Sequence, residues 1–560
     1  MVRKDSLVKG TVIIAAAAMV ARVLGVFQRV PLDHLMGKVG GAAFGTANNV
    51  YLLLLVVATA GIPSAISKMV SERLELGREA EAQGIYRAAL GFGIGAGIVM
   101  AAGLFLAAPW YARLADNPDA APAIRAIAPS LLLFPVIAMM RGYFQGRQFM
   151  MAGGVSQIVE QIARVVTAVG LAVALVEWGY GDPEVAAGAA FGSVLGSVAA
   201  FAVMLAYARK LRQAGANEGP APRPAAPAGS AAPPVLRRTR DIYAAIFRTS
   251  IPILLTAMTI QLIYLIDQTL LIPLSKAQFG KETAMQWLDI LQMRAQSIAG
   301  IPPVLAIALS TSLLPVVAAA YAAGDADRVR RQIALAMRIA VFTGLPVVAA
   351  LSTGAYAVNA LLFSSAEGSL IVGWLTAGTL FQITMMTSNS ILNGLSRNRT
   401  AMGHTLTGIG VKTALSFALT PWAGVYGLLA SDTVCFIVVT AWNMASIRRL
   451  TGVRVLAGRW PGWIGAVAVV TGVGFLAAWA GSAWFAPLGW KWPYLLTAVL
   501  VGAATLASYP AVLAAFRVVR PADLEAYPSR LRRLLAPFMR LQGRRSRQGA
   551  GVNSSDEPPL

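Results

Sequence analysis

The sequence predicts an all-α integral membrane protein with about fourteen transmembrane helices. Its 560 residues are 57% hydrophobic and only 13% charged, with a mean hydropathy of +0.64, which exceeds the apolar content of an ordinary soluble domain. Apolar runs of about 20 residues, the length that crosses a bilayer, recur along the chain. The predicted spans have their centres near residues 20, 55, 98, 133, 165, 196, 258, 306, 342, 382, 410, 434, 473 and 505.

Basic residues alternate with the apolar runs, and this alternation predicts the topology. Lys and Arg precede span 1 and then follow every second span, whereas the intervening loops are acidic or poor in basic residues. The basic residues on this side include Arg3, Lys4, Lys9, Arg73, Arg78, Arg87, Arg141, Arg147, Arg209, Lys210, Arg212, Arg328, Arg330, Arg331, Arg397, Arg399, Arg448 and Arg449. By the positive-inside rule both termini are cytoplasmic. The net charge of +22 therefore reflects topology and does not indicate nucleic-acid binding.

The first apolar segment is predicted to be a retained span. The alternative is a cleaved signal peptide, because basic residues precede an alanine-rich stretch. However, the apolar run continues through Val26, contains Arg22 and lacks a polar cleavage region. A single cysteine, Cys435, excludes a disulfide within the chain, and the two separated histidines, His34 and His404, offer no metal site.

One segment interrupts the series of spans. Residues 213–236 are rich in Pro, Ala and Gly and lack a periodic apolar face, which is typical of a flexible cytoplasmic linker. The parts on either side resemble each other at a nearly constant offset: Gly77 aligns with Gly324 at 247 residues, and Gly146 with Gly394 and Arg164 with Lys412 at 248 residues. A duplicated six-helix unit explains the common offset.

These observations predict five parts of the chain. They are a six-helix lobe at 1–212, a cytoplasmic linker at 213–240, a second six-helix lobe at 241–450, two further transmembrane helices within 451–516 and a basic cytoplasmic tail at 517–560.

A polar stripe lies within the fifth predicted span. Gln157, Glu160, Gln161 and Arg164 recur at spacings of three and four residues, which places them on one helix face. A charged residue at the bilayer centre costs roughly 2.5–3.5 kcal/mol on insertion scales, so the stripe is expected to face protein or a water-filled cavity. The alternative is that Glu160 and Arg164 only neutralise each other at i,i+4.

Further arginines accompany this stripe as candidate cavity residues. Arg22 and Arg29 are seven residues apart on one face of span 1, and Asp33 follows one turn later. The alternative for Arg22 is a structural pair with an acid such as Glu160. Arg294 opens span 8, where the alternative is an interfacial arginine that extends toward the membrane surface.

The second half carries a different set of intramembrane polar residues. Asp267, Lys412 and Asp432 lie in spans 7, 11 and 12, and Asn389 and Asn393 lie at i,i+4 in span 10. Two carboxylates beside a lysine could exchange a proton or a small cation such as Na⁺, because burial and proximity shift their protonation. A static buried ion pair is the alternative.

Proline residues within the spans predict bends. Each removes a backbone hydrogen bond, and the adjacent pair Pro302 and Pro303 is the predicted hinge.

Several segments together resemble a known family. They are GIPSAISKMVSERLELG (61–77), RGYFQGRQFMMAGGVSQIVEQIARV (141–165), IPPVLAIALSTSLLPVVAAAYAAGD (301–325) and ILNGLSRNRTAMGHTLTGIGVKT (391–413). In this order they resemble the stage V sporulation protein B branch of the multidrug/oligosaccharidyl-lipid/polysaccharide (MOP) exporter superfamily, from about residue 5 to 455. The resemblance implies two six-helix lobes of MATE-like fold around a cavity that alternates between the membrane faces. It also implies a bacterial cytoplasmic membrane protein.

A more distant resemblance is to MurJ-like lipid II flippases. The segment ARVLG (21–25) matches a motif in their first helix, so the resemblance implies that Arg22 lines the central cavity. The family's second arginine in this helix falls near Gln28 or Arg29. In span 8 the chain departs from the family, whose arginine and glutamate positions fall on Gln296 and Ala299.

The expected function is therefore a flippase for a polyprenyl-diphosphate-linked glycan, such as lipid II or another precursor of a cell-wall or surface polysaccharide. Arginines bind diphosphate through planar, permanently charged guanidinium groups. We expect a monomer without a cofactor, and the sequence contains no GxxxxGK[ST] motif for ATP. One alternative is a cation-coupled multidrug antiporter on the same fold. Another, a glycan-polymerising enzyme, is disfavoured because no loop is long enough to carry catalytic acids.

Overall fold

The computed structural model describes most of the chain. The described residues are 17, 20–21, 24–25, 27–59, 61–217, 251, 254–303, 317, 321, 325–363, 365–453, 460–516 and 518. The predictions for Arg22, for the linker beyond residue 217, for the span near residue 306 and for the tail beyond residue 518 lie outside these residues.

The described part of the chain is helical and contains no strand. Its first helix, α1, includes residues 27–35. The remaining helices before the linker are α2 (Lys38–Thr59), α3 (Ile62–Glu75), α4 (Glu79–Leu114), α5 (Ala120–Ile127), α6 (Ser130–Gly146), α7 (Met150–Glu177) and α8 (Asp182–Asn217). Those after it are α9 (Thr259–Phe279), α10 (Lys281–Asp289), a π-helical turn (Ile290–Ala295), α11 (Gln296–Ala299), α12 (Ala326–Thr353), α13 (Ala355–Leu362), α14 (Ser369–Gly394), α15 (Asn398–Ala423), α16 (Val425–Thr451), α17 (Trp460–Trp484) and α18 (Trp492–Ala515).

The all-α, multi-pass membrane class is confirmed, but the count of about fourteen spans is not. Nine helices in the described ranges are long and apolar enough to cross a bilayer, or ten if the bent pair α5 and α6 forms one span. Helices α9 and α15, which carry Asp267 and Lys412, are not among the nine. Polar side chains within these two helices lower their apolar character.

The chain divides into two compact units. Unit 1 comprises the described residues within Met1–Ser297 and Asn398–Asp432, and unit 2 comprises those within Ile298–Arg397 and Thr433–Leu560. The division into two six-helix lobes, a linker and two further helices remains a prediction.

Close helix packing in unit 1 explains two glycines of the RGYFQGRQ segment. A Cβ atom on Gly142 would lie 2.7 Å from the carbonyl oxygen of Pro63, and one on Gly146 would lie 2.7 Å from that of Ser67. Because these neighbours are backbone atoms, α6 can approach α3 this closely only without side chains at the two positions. Ile66, Val70 and other apolar side chains complete this core.

A loop on the predicted extracytoplasmic side of unit 1 is held by ion pairs. Asp116 follows α4 and lies 2.6 Å from the Nζ atom of Lys276 and 3.5 Å from that of Lys281. The hydrogen bond from Lys276 is the main cause that lowers the pKa of Asp116 below its ordinary value.

The core of unit 2 lies between α12, α14 and the hairpin of α17 and α18. Buried side chains from these helices include Phe342, Leu345, Leu380, Val470 and Leu513. Because lipid tails are as apolar as these side chains, close van der Waals packing between the helices, and not transfer out of water, stabilises this core. The hairpin is therefore part of a packed unit and does not extend from it as an isolated appendage.

Two turns support the predicted internal duplication. After α6, Gln148 adopts a φ of 64°, and after α14, Ser396 adopts a φ of 58°. These residues are 248 positions apart, and the three backbone hydrogen bonds around each turn also correspond at this offset. Positive φ is uncommon for residues other than glycine, so its recurrence at the predicted offset is specific local evidence for a repeat.

The predicted hinge lies beside an interrupted helix. The π-helical turn leads into the four-residue α11, which ends at Ala299. Pro302 and Pro303 follow after Gly300 and Ile301, and neither proline has the N–H group that an uninterrupted helix would use. The break is at the predicted position, and movement there remains a prediction.

Candidate functional site

Two residues of the polar stripe, Glu160 and Arg164, belong to a charged cluster in unit 1. Glu160 Oε1 lies 2.9 Å from Arg164 Nη2, and Glu160 Oε2 lies 2.9 Å from Arg141 Nη2 on α6. The side chains are 7% exposed for Glu160, 11% for Arg164 and 16% for Arg141. The predicted Glu160–Arg164 contact exists, but the second guanidinium gives the cluster a formal charge of +1. The pair therefore does not simply neutralise itself.

Tyr51 of α2 completes this arginine cluster. Its hydroxyl accepts a hydrogen bond of 2.9 Å from Arg164 Nη2, and the guanidinium carbon lies 5.3 Å from the ring centre. Ser156 accepts from Nε and Nη2 of Arg141. Arg164 Nε is buried and has no hydrogen-bond acceptor among the described residues. We call Arg141, Glu160, Arg164, Tyr51 and Ser156 the arginine cluster.

The stripe residue Gln161 faces the first helix. Its Nε2 atom lies 3.5 Å from the position that a Cβ on Gly25 would occupy. The space that glycine leaves in the first helix is thus next to the stripe.

Arg29 and Arg294 have partners within unit 1. Arg29 Nη1 donates to the carbonyl oxygen of Gln292 and to Ser297 Oγ, the latter at 3.2 Å. Arg294 Nε donates to Asp33 Oδ1 at 2.8 Å, and Arg294 is only 7% exposed. The interpretation of Arg294 as an interfacial arginine is therefore wrong, because the Asp33 carboxylate holds the guanidinium inside the unit.

A network of uncharged polar side chains lies near these arginines, and the sequence did not predict it. Gln292 of the π-helical turn donates to Gln268 Oε1 at 2.8 Å and to Thr46 Oγ1 at 3.3 Å. Asn49 donates to Gln296 Oε1 at 3.2 Å. The only sequence signal for this network is the i,i+4 spacing of the two glutamines in span 8. π-Helical turns occur often at functional sites because they change the direction of side chains within a helix.

The structure brings Asp267, Lys412 and Asp432 together in unit 1. Lys412 Nζ donates to Asp267 Oδ1 and lies 3.5 Å from Asp432 Oδ1. Their side chains are 1%, 0% and 3% exposed, respectively. Neither carboxylate oxygen of Asp432 has a hydrogen-bond partner among the described residues. With both acids ionised, this lysine cluster has a formal charge of −1.

Asn389 and Asn393 belong to unit 2. Asn389 Oδ1 accepts a hydrogen bond of 2.7 Å from Asn443, and Asn393 Oδ1 is buried without a hydrogen-bond partner in the described part of the chain. Their predicted role with the three charged residues remains untested.

The two clusters differ in sign at related positions. Arg164 and Lys412, which the internal repeat aligns, are both buried cations bound to carboxylates. Arg164 is accompanied by a further cation, Arg141, whereas Lys412 is accompanied by two anions, Asp267 and Asp432. The arginine cluster is therefore suited to a further anion, and the lysine cluster to a proton or monovalent cation. No group of three or more metal-binding side chains occurs among the described residues.

Comparison with known proteins identifies the class. The family model described as polysaccharide biosynthesis protein matches residues 7–321, more than half of the chain. The chain belongs to this polysaccharide biosynthesis family of membrane flippases and transporters.

Individual relatives confirm the predicted resemblance. The lipid II flippase MurJ of Bacillus subtilis (strain 168) is 24% identical over 466 residues, which cover 80% of this chain and 84% of the relative. Stage V sporulation protein B of the same organism is 24% identical over 464 residues, covering 81% and 85%.

Solved structures show the same fold. Lipid II flippase MurJ in an inward closed conformation matches with a TM-score of 0.63 at 12% identity and covers 91% of this chain and 100% of its own. An inward-facing multidrug resistance MATE family transporter of the MOP superfamily matches with a TM-score of 0.61 at 16% identity, covering 77% and 96%. The fold is therefore MATE-like and MurJ-like.

Proposed function

We propose that the protein is a flippase that translocates a polyprenyl-diphosphate-linked glycan precursor across the bacterial cytoplasmic membrane by alternating access. The observation that carries the proposal is the arginine cluster, in which two guanidinium groups and one carboxylate are buried on membrane helices. A diphosphate group is anionic and does not enter hydrocarbon unaided. Guanidinium groups replace its hydration with charge-assisted hydrogen bonds.

The lipid tail and the headgroup place different demands on such a carrier. The tail can stay in the bilayer, whereas the sugar and the diphosphate need a polar path. Arg22, Arg29, Glu160, Arg164 and Arg294 are the proposed residues of this path. The names of the curated relatives, a lipid II flippase and a sporulation protein, favour a cell-wall precursor within the wider class of lipid-linked glycans.

The membrane potential is a sufficient energy source for this transport. Moving one charge through 100 mV changes the free energy by about 2.3 kcal/mol. A headgroup with roughly two negative charges therefore gains about 4–5 kcal/mol on export toward the positive side. We propose that no cofactor and no ATP are required, that the protein acts as a monomer without enzymatic activity, and that both termini are cytoplasmic.

Reconstitution tests the proposal directly. Purified protein in proteoliposomes is supplied with fluorescent lipid II, and a membrane-impermeant quencher measures the fraction that has crossed. We expect transport that increases when the potential drives anions in the export direction. Arg164→Ala should reduce the rate at least tenfold, and Arg164→Lys should restore part of it, because lysine keeps the charge but loses the planar fork. The control is Arg147→Ala, which removes a half-buried arginine that binds Glu79 and Tyr143 and lies outside the arginine cluster. No transport by the wild-type protein would refute the proposal.

A cation-coupled multidrug antiporter is the second candidate. The observation that favours it is the lysine cluster, whose excess carboxylate can hold a proton or Na⁺. The same proteoliposomes separate the two functions: uptake of a cationic dye driven by a proton or Na⁺ gradient, without movement of lipid II, would establish the antiporter.

A further inference from the structure

The arginine cluster contains an anion of its own. Arg141 and Arg164 approach Glu160 from two helices, and each guanidinium gives a single hydrogen bond to a different carboxylate oxygen. Neither contact is the two-bond arrangement in which arginine and carboxylate bind most strongly. Glu160 thus holds two guanidinium groups side by side without satisfying either of them fully.

Hydrogen-bond donors remain in excess around this carboxylate. Arg164 Nε is buried without an acceptor among the described residues. The Tyr51 hydroxyl accepts from Arg164, so its own hydrogen can be donated to another acceptor. With the formal charge of +1, these donors favour a second anion, because an uncompensated buried charge is strongly unfavourable.

The backbone around the cluster is fixed while the side chains can change partners. A Cβ on Gly196 would lie 2.9 Å from the carbonyl oxygen of Glu160 and 3.1 Å from Arg164 Cβ, so α8 lies directly against α7 here. The Tyr51 ring is held edge-on by Phe134 at 6.2 Å. The close packing of α7 against α8 fixes the backbone positions from which Glu160 and Arg164 project, and Phe134 fixes the ring of Tyr51.

We infer that Arg141, Arg164 and Tyr51 form a phosphate-binding site in which Glu160 is a resident anion that a diphosphate group displaces. This inference rests on the proposed function and adds two residues, Arg141 and Tyr51, to the headgroup site. A diphosphate has more negative charge and more acceptor oxygens than one carboxylate, so it can engage both guanidinium groups and the phenol together. Glu160 determines specificity, because a monoanionic ligand gains little by replacing it.

Binding measurements on the full-length protein in detergent test the exchange. The probes are inorganic diphosphate, farnesyl diphosphate and, in nanodiscs, an anionic phospholipid without diphosphate. Glu160→Gln removes the competing charge with little change in shape. It should therefore bind inorganic and farnesyl diphosphate at least tenfold more tightly than the wild type. Adding Arg141→Gln should abolish this gain, whereas adding Arg147→Gln, which removes an arginine that does not contact Glu160, should leave it intact.

The outcomes separate this inference from the proposed function. Unchanged diphosphate affinity in folded Glu160→Gln protein would overturn the inference, even if the wild type transports lipid II. Tighter diphosphate binding without lipid II transport would support the site and refute the flippase. A gain for the phospholipid alone would overturn the diphosphate assignment. If Glu160→Gln does not fold, Arg141→Gln decides the question: normal diphosphate affinity overturns the site, and a tenfold loss supports it.

Discussion

Removing Lys412 should damage the protein far more than removing its second acidic partner, Asp432. Lys412→Met leaves Asp267 and Asp432 facing each other, each at most 3% exposed. Breaking a buried pair in this way typically costs about 3–5 kcal/mol, since it leaves uncompensated charge. Asp432→Asn has the opposite effect on charge, because it brings the lysine cluster from −1 to neutrality.

The magnitude of the Asp432 substitution follows from its distance. At 3.5 Å and an effective dielectric constant of about 20, the attraction between Lys412 and Asp432 is about 5 kcal/mol. Two effects oppose the loss of this attraction. The substitution removes the repulsion between Asp432 and Asp267, and it also removes the cost of burying a second carboxylate. We therefore expect Asp432→Asn to change the free energy of unfolding by less than about 1 kcal/mol.

Thermal unfolding in detergent, followed by size-exclusion chromatography of the heated protein, measures these effects. From the unfolding entropy per residue, a loss of 3–5 kcal/mol in a chain or unit of this size lowers the midpoint by roughly 3–6 °C. Lys281→Met, which removes an exposed lysine 3.5 Å from Asp116, is the control and should change the free energy of unfolding by at most about 1 kcal/mol. The electrostatic reasoning would be refuted if Lys412→Met and the wild type had the same midpoint. It would also be refuted if Asp432→Asn lowered the midpoint as much as Lys412→Met does.

Three further predictions concern packing, pH and topology. Gly142→Ala should destabilise the protein by about 1–3 kcal/mol, because its new Cβ meets backbone atoms. Gly103→Ala, where nothing lies within 4 Å of the new Cβ atom, should stabilise the protein by up to about 1 kcal/mol. Equal thermal midpoints for Gly142→Ala and Gly103→Ala would contradict the packing argument. The lowered pKa of Asp116 stabilises the folded state above the ordinary carboxyl pKa, and this contribution is lost as pH falls through the lowered value. The wild-type midpoint should therefore fall more steeply than that of Asp116→Asn under acid titration, and parallel curves would exclude this contribution. Cysteines introduced at Ala225 and Ala550 should resist an impermeant thiol reagent in intact cells, and labelling of either would refute the cytoplasmic placement.

Composition and local sequence pattern were sufficient to predict the class of protein and part of the candidate functional site. The apolar content identifies a membrane protein, since no soluble core requires so much of it. Helical periodicity places Glu160 and Arg164 on one face, and the structure confirms their contact. The offset of 248 residues anticipates matching turns at Gln148 and Ser396. Each of these inferences needs only composition or the geometry of a single helix.

Contacts between helices were decided by tertiary structure alone. Arg141 reaches Glu160 from another helix, and Arg294 pairs with Asp33 across 261 positions of sequence. The sequence therefore left Arg141 out of the site, and for Arg294 it left open a cavity role and an interfacial role without identifying Asp33 as its partner. Periodicity shows which side chains share a face, but the partner of that face depends on how the helices pack. For the same reason the net charge of each buried cluster, +1 around Glu160 and −1 around Lys412, became visible only when distant segments were brought together.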